Sequence, residues 1–286
     1  MGSNEHEIGV VGTGIMGAGL AEVAAAAGFS VILKGRSQAS ADAAFAIIEW
    51  SMARQVKKEK RTPEEAAALL TRVRRTTSYH ELAGAGIVIE SVAENMDIKR
   101  EVFAELDRVC AADTILATNT STLPVTELAI ATSRPGQVCG IHFFNPATLM
   151  ELVEIVVPDV TTENTVARAA AFVSDCGKTP VRVKDVAGFV VNALLFPYLN
   201  NAVRMAEAGT ATAADIDLAM QGGCNMPMGP LALLDLIGLD TAVSILGTLA
   251  KAFAEPNYEP VPLLTKMVEN GHLGRKSGQG FFNYGD

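Results

Sequence analysis

Four cysteines in 286 residues, at positions 110, 139, 176 and 224, form no close pair and no Cys/His cluster. That spacing excludes a disulfide framework and a structural zinc, and the expectation is a cytoplasmic protein with reduced thiols and no metal. No apolar run reaches the roughly 20 residues that a membrane-spanning helix needs; the stretch 24–33 is far too short. The opening segment, MGSNEHE, is polar and acidic and lacks the basic start of a secretory signal. Positive charge is also in deficit. A net charge of −9 argues against nucleic acid as a partner, because binding there is dominated by Lys and Arg neutralising phosphates. Internal repeats and low-complexity linkers are absent.

What is present suits two domains: the length is generous for one compact domain, with 49% apolar and only 19% charged residues. Up to about residue 185, short β-branched runs alternate with helical stretches, the pattern of a parallel sheet covered by helices. The strands are predicted at 8–11, 30–33, 87–90, 114–118, 138–142, 152–157 and 181–183. Between the second and third, from about 38 to 77, lie forty residues rich in Ala, Leu, Lys, Arg and Glu. Thr62-Pro63-Glu64-Glu65 reads as a helix start, so this segment is predicted to be an inserted antiparallel helix hairpin. After Asp185 the β signal disappears and the pattern turns helical. The predicted boundary divides 1–185 from 186–286. The apolar run 231–237 exceeds the need of about a hundred lone residues, which points to a homodimer.

Gly12-Thr13-Gly14-Ile15-Met16-Gly17 follows the first strand and opens an alanine-rich helix. Glycine there permits a tight turn, close approach of backbone to a pyrophosphate and helix–strand packing, and the helix start offers unpaired N–H groups to phosphates. The segment is thus expected to bind a dinucleotide. The second strand of such a unit normally ends in an acid that holds the adenosine ribose; here that position is Gly35, followed by Arg36 and Ser37. Without the carboxylate a 2′-phosphate is not repelled, and the planar guanidinium of Arg36 suits one. The reading favours NADP(H) over NAD, against the plainer alternative that Arg36 stacks on adenine.

His142 closes a predicted strand, where ligands of open α/β sheets gather. Glu154 shares a strand face with Leu152 and Val156, so its carboxylate is expected to be buried and to require a partner. A histidine on the neighbouring strand fits, since a carboxylate fixes the ring tautomer and stabilises imidazolium. A buried structural ion pair is the alternative. Asn119-Thr120-Ser121 follows another strand end, and Asn192 interrupts an apolar helix start.

These blocks, together with Ser91 to Asn95, His142-Phe143-Phe144-Asn145-Pro146, Leu152-Val153-Glu154, Gly188 to Asn192, Met228-Gly229-Pro230 and Gly274 to Phe282, make the chain resemble the 3-hydroxyacyl-CoA dehydrogenase family almost end to end, most closely its short-chain 3-hydroxybutyryl-CoA members. The resemblance implies a Rossmann-type doubly wound sheet with a helix hairpin and an all-α C-terminal domain. It implies reversible NAD(P)-dependent hydride transfer between an (S)-3-hydroxyacyl-CoA and a 3-oxoacyl-CoA, in fatty acid or butanoate metabolism. His142 is then the general acid/base and Glu154 its orienting partner. Ser121 and Asn192 contact the reacting oxygen, and Asn145 supports His142. Glu94, Lys99 and Asn119 lie beside the cofactor, with Gly12, Gly14, Ile15, Met16 and Gly17 at its phosphates. Gly35 departs from the family pattern.

Between 51 and 75, eight basic residues face three acids, a local field suited to the phosphates of coenzyme A. By resemblance Ser51 and Lys58 contact that coenzyme; a solvated charged face is the plain alternative. Two other functions compete. A dehydrogenase of free hydroxy acids usually relies on a lysine base in the helical domain, and the stretch 189–220 holds no lysine. A non-catalytic cofactor-binding protein would be expected to have lost part of the His142, Glu154, Ser121 and Asn192 set, and all four are present.

Overall fold

The computed structural model describes residues 4–285. The chain divides into two compact units, one ending at Asp185 and the other beginning at Val186. The first is built on strands β1 (Asn4–Val11), β2 (Ser30–Lys34), β3 (Val73–Thr76), β4 (Ala85–Glu90), β5 (Ile115–Thr118), β6 (Val138–Phe143), β7 (Leu152–Val157) and β8 (Thr179–Lys184). They form one sheet in the order β3-β2-β1-β4-β5-β6-β7-β8. Helices α1 (Ile15–Ala26), α2 (Gln38–Lys57), α3 (Pro63–Thr71), α4 (Met96–Val109), α5 (Val125–Ile130) and α6 (Glu163–Asp175) connect them. This is a Rossmann-type doubly wound unit, its strand order reversing between β1 and β4.

The central strands form because their residues are largely apolar and buried on both faces. Ile8, Val10, Leu33, Ile89, Ile141 and Ile155 share one core with α1, α2, α3 and α6. Intervening positions face the other layer: a Cβ added to Gly140 would meet Val156 and, on α5, Val125. Each such buried aliphatic side chain contributes about 1.5–3 kcal/mol. The hairpin helices start where their caps dictate. Ser37 closes a capping box with Ser40 ahead of α2, and Thr62 closes one with Glu65 ahead of α3, with Pro63 in the first turn.

Two expectations are corrected. The segment 38–77 is not wholly helical, because its last part, β3, is an edge strand on β2. Exposed Arg74 and Arg75 disguise it, charges being a common protection of sheet edges. Nor is the sheet wholly parallel: β6 and β7 run antiparallel. The eight residues between them are too few for the dozen or more that a parallel crossover needs.

The second unit is all-α: α7 (Val191–Glu207), α8 (Ala213–Cys224), α9 (Pro230–Ile237), α10 (Leu239–Phe253) and α11 (Pro262–Glu269). Its core gathers Phe196, Leu199, Leu231, Leu234, Leu246, Leu249 and Leu264. Asp217 fixes the start of α9 by accepting from the Leu231 and Ala232 amides at 2.8 and 2.9 Å. The run 231–237 is therefore used largely inside its own unit, with Leu231 and Leu234 fully covered. Helices α9 and α10 bend by 97° at their junction, and among the described residues no single helix is long and apolar enough to cross a membrane.

Candidate active site

The glycine turn joins β1 to α1, and its glycines do different work. Gly12 takes a φ of +123°, and a Cβ there would overlap the Ser91 carbonyl. A Cβ on Gly17 would overlap the carbonyl of Gly12, so this glycine lets the helix sit against the turn. Gly14 is different: nothing lies within 4 Å of where its Cβ would be. It is the N-cap of α1, with no side-chain cap and no acid in the first turn. The helix thus begins with exposed N–H donors facing a space that a side chain would fill, the arrangement that a pyrophosphate requires. Ile15 is exposed beside that space and Met16 is half-buried. The residues present fit a dinucleotide.

At the end of β2, Gly35 is buried and Arg36 exposed. A Cβ on Gly35 would lie 2.9 Å from the Ser37 carbonyl oxygen and 2.7 Å from Ser40 Oγ. The capping box of α2 therefore occupies the space in which a ribose-binding acid would start.

Three side chains meet at the carboxyl end of the sheet. His142 on β6 and Glu154 on β7 are directly paired residues of the antiparallel ladder. The His142 Nδ1 lies 2.8 Å from Glu154 Oε2, with both residues buried. Since a carboxylate only accepts, Nδ1 carries a proton, and in the neutral ring the lone pair is on Nε2. Nε2 lies 3.1 Å from Ser121 Oγ, in the turn after β5. The result is an imidazole whose Nε2 is aimed at a hydroxyl and whose Nδ1 side is provided with a counter-charge. Such a group can take or return a proton at Nε2.

Surrounding residues hold this set. Asn119 Oδ1 accepts from the Phe143 amide at 2.8 Å and ties the end of β5 to that of β6. The Phe144 ring packs on the imidazole with centroids 4.5 Å apart. Asn145 is exposed and precedes Pro146 through a cis peptide. Asn192 is buried in the first turn of α7, in the second unit.

Glu94 and Lys99 have definite partners. Lys99, 1% exposed, sets its Nζ 2.8 and 3.0 Å from the two oxygens of Glu90 and 3.3 Å from Glu94. Burial alone would raise the Glu94 carboxyl, but Lys99 and hydrogen bonds from Thr120 and the Ser121 amide outweigh it and hold it below the usual value. Glu90 escaped sequence reading. The signal was there: Glu90 shares a strand face with Val88, and such alternation is what singled out Glu154.

On the hairpin, Ser51 is half-buried and donates to Glu22 at 2.9 Å, joined by Gln55, which accepts from Arg61. Burial raises the Glu22 carboxyl even against these bonds. Lys58 is exposed, as are Arg54, Lys57 and Lys60, and the Arg54 guanidinium stands over Trp50, itself 64% exposed. The rest of the basic set is already engaged: Arg72 with the Ala25 carbonyl, Arg74 with Glu81 and Arg75 with Asp42. The basic surface is accordingly smaller than the composition implied.

Comparison with known proteins now bears on this geometry. The family model described as the 3-hydroxyacyl-CoA dehydrogenase NAD binding domain matches residues 7–186, and that of the C-terminal domain matches 188–284. The chain belongs to the 3-hydroxyacyl-CoA dehydrogenase family. It is 47% identical over 281 residues, 98% of each chain, to 3-hydroxybutyryl-CoA dehydrogenase of Mycobacterium tuberculosis. To the mitochondrial hydroxyacyl-coenzyme A dehydrogenase of Sus scrofa it is 40% identical over 282 residues, 96% of this chain and 90% of the other. The crystal structure of (S)-3-hydroxybutyryl-CoA dehydrogenase from Ralstonia eutropha superposes with a TM-score of 0.95 at 40% identity, covering 99% of this chain and all of that one. As a family member, the chain carries an NAD-binding domain followed by the family's C-terminal domain.

Proposed function

We propose that this protein catalyses reversible hydride transfer between an (S)-3-hydroxyacyl-CoA and the corresponding 3-oxoacyl-CoA, with 3-hydroxybutyryl-CoA and acetoacetyl-CoA as the natural pair. The observation that carries this reading is the Glu154–His142–Ser121 line, with contacts of 2.8 and 3.1 Å at the carboxyl end of the sheet that bears the glycine turn. Bound NAD(P) supplies the hydride acceptor or donor. In oxidation His142 takes the substrate hydroxyl proton at Nε2 as hydride leaves C3, and Glu154 stabilises the imidazolium at Nδ1. In reduction His142 returns that proton. Ser121, which reaches Nε2 in the structure, turns its hydroxyl to the reacting oxygen; Asn192 joins it by family resemblance, as does Asn145 in support of His142.

NADP(H) is favoured because Gly35 brings no carboxylate and Arg36 is exposed beside it. Ser51 and Lys58 are assigned to coenzyme A; Ser51 needs its bond to Glu22 rearranged or shared to serve. A homodimer through the second unit is supported by Leu194 and Leu218, 71% and 67% exposed. A cytoplasmic setting is supported by four unpaired thiols, two of them buried.

General acid–base help is worth about 10²–10⁴-fold. His142→Ala and Glu154→Ala are therefore each expected to slow NAD(P)H oxidation with acetoacetyl-CoA by at least about 10²-fold, read by absorbance. Near-normal turnover in either variant sinks the assignment.

A further inference from the structure

Glu94 is expected by resemblance to lie beside the cofactor, yet its two oxygens are committed in opposite directions. Its Oε1 accepts from Thr120 Oγ at 2.6 Å, from the Ser121 amide at 2.9 Å and from the Thr122 amide at 3.3 Å. Its Oε2 faces Lys99 Nζ at 3.3 Å. Lys99 is held in turn by Glu90, which is 0% exposed and also accepts from the Val92 amide at 2.6 Å and from Thr118 Oγ at 2.8 Å. Two carboxylates and one ammonium thus join the end of β4, the start of α4 and the end of β5. Every partner of both carboxylates is a donor.

We propose that Glu90, Lys99 and Glu94 form a clamp that positions the 120–122 turn and thereby sets the approach of Ser121 Oγ to His142 Nε2. The three are positioning residues for proton transfer. The Lys99–Glu90 pair, 1% and 0% exposed, is stiff because breaking it leaves an uncompensated buried charge, and Glu94, 41% exposed, bridges it to the turn. An ångström of misplacement costs as much as about 10²-fold in rate, so the clamp acts on turnover rather than on binding. An amide cannot replace either carboxylate, since its NH₂ would confront a donor on one side.

This inference rests on the reaction proposed above, and its test separates the two. The arms are Glu94→Gln, Glu90→Gln and Thr120→Val, measured for kcat and KM with acetoacetyl-CoA and for NADH and NADPH affinity by fluorescence titration. Each variant is expected to lose at least about tenfold in kcat, and in Glu90→Gln and Thr120→Val cofactor Kd is expected to stay within about twofold. Glu90 is covered completely, so its effect reports the clamp; should Glu90→Gln fail to fold, Thr120→Val removes one strand of the clamp without a buried charge. A Glu94→Gln protein with weakened cofactor binding and retained kcat overturns the proposal, as does an unchanged kcat in Thr120→Val. A crystal structure of Glu94→Gln gives a readout independent of activity: Ser121 Oγ is expected beyond 3.5 Å, roughly the limit of a hydrogen bond, from His142 Nε2, and a retained contact refutes the clamp. An unmodified protein inert towards acetoacetyl-CoA defeats the reaction assigned, and leaves that crystallographic arm to decide the clamp.

Discussion

Single residues in the glycine turn separate folding from binding. Gly17→Ala puts a methyl group onto the Gly12 carbonyl, and overpacking of that kind costs about 1–3 kcal/mol. Gly14→Ala meets no protein atom within 4 Å, so its stability is expected within about 0.5 kcal/mol of the unmodified protein. Its methyl group instead occupies the approach to the α1 N–H donors. Cofactor Kd is expected to rise about tenfold, the equivalent of about 1.4 kcal/mol. Thermal melting paired with fluorescence titration distinguishes the two variants; loss of stability without loss of affinity in Gly14→Ala contradicts this division. The same scale shows what a sequence discloses. The burial of Glu154 was legible because alternation on a strand fixes which face a side chain takes. The engagement of Ser51 by Glu22 was not, because it depends on how α1 and α2 pack, which no local spacing states.

At the level of elements, strand positions were readable from apolar runs, whereas strand direction was not. The β6–β7 reversal follows from a short connection, and it makes His142 and Glu154 ladder partners. The pair is therefore positioned by backbone pairing, in which a slip of one residue would send both side chains to the wrong face. The β3 edge was missed because Arg74 and Arg75 mimic a charged helix face. The loop between β2 and α2 carries its own test. Arg36→Asp removes an exposed cation and introduces a ribose-binding acid next to Gly35. If Arg36 holds a 2′-phosphate, the NADPH/NADH ratio of kcat/KM falls at least about tenfold, since a charge-assisted bond is worth about 1.5–3 kcal/mol. An unchanged ratio means that Arg36 has no such role. Gly35→Asp is the poorer variant, because the capping box of α2 blocks its Cβ.

For the whole molecule, the division near residue 185 was announced by the loss of β-branched runs. In the run 231–237 Leu231 and Leu234 are covered while Leu236 is 49% exposed, and with the exposed leucines of α7 and α8 it supports the proposed dimer. Leu218→Glu is expected to convert a dimer to a monomer in sedimentation equilibrium, with no change in far-ultraviolet dichroism. A sharply monomeric unmodified protein removes the dimer from consideration. Trp50 has a consequence of another kind. It is the chain's sole tryptophan, and it stands in the open on α2 beneath Arg54. Ultraviolet emission excited at the red edge of protein absorption therefore originates from one spot on the hairpin. If Lys58 holds coenzyme A as proposed, a titration followed in that light is expected to register its arrival, with no label attached and no contribution from any other indole.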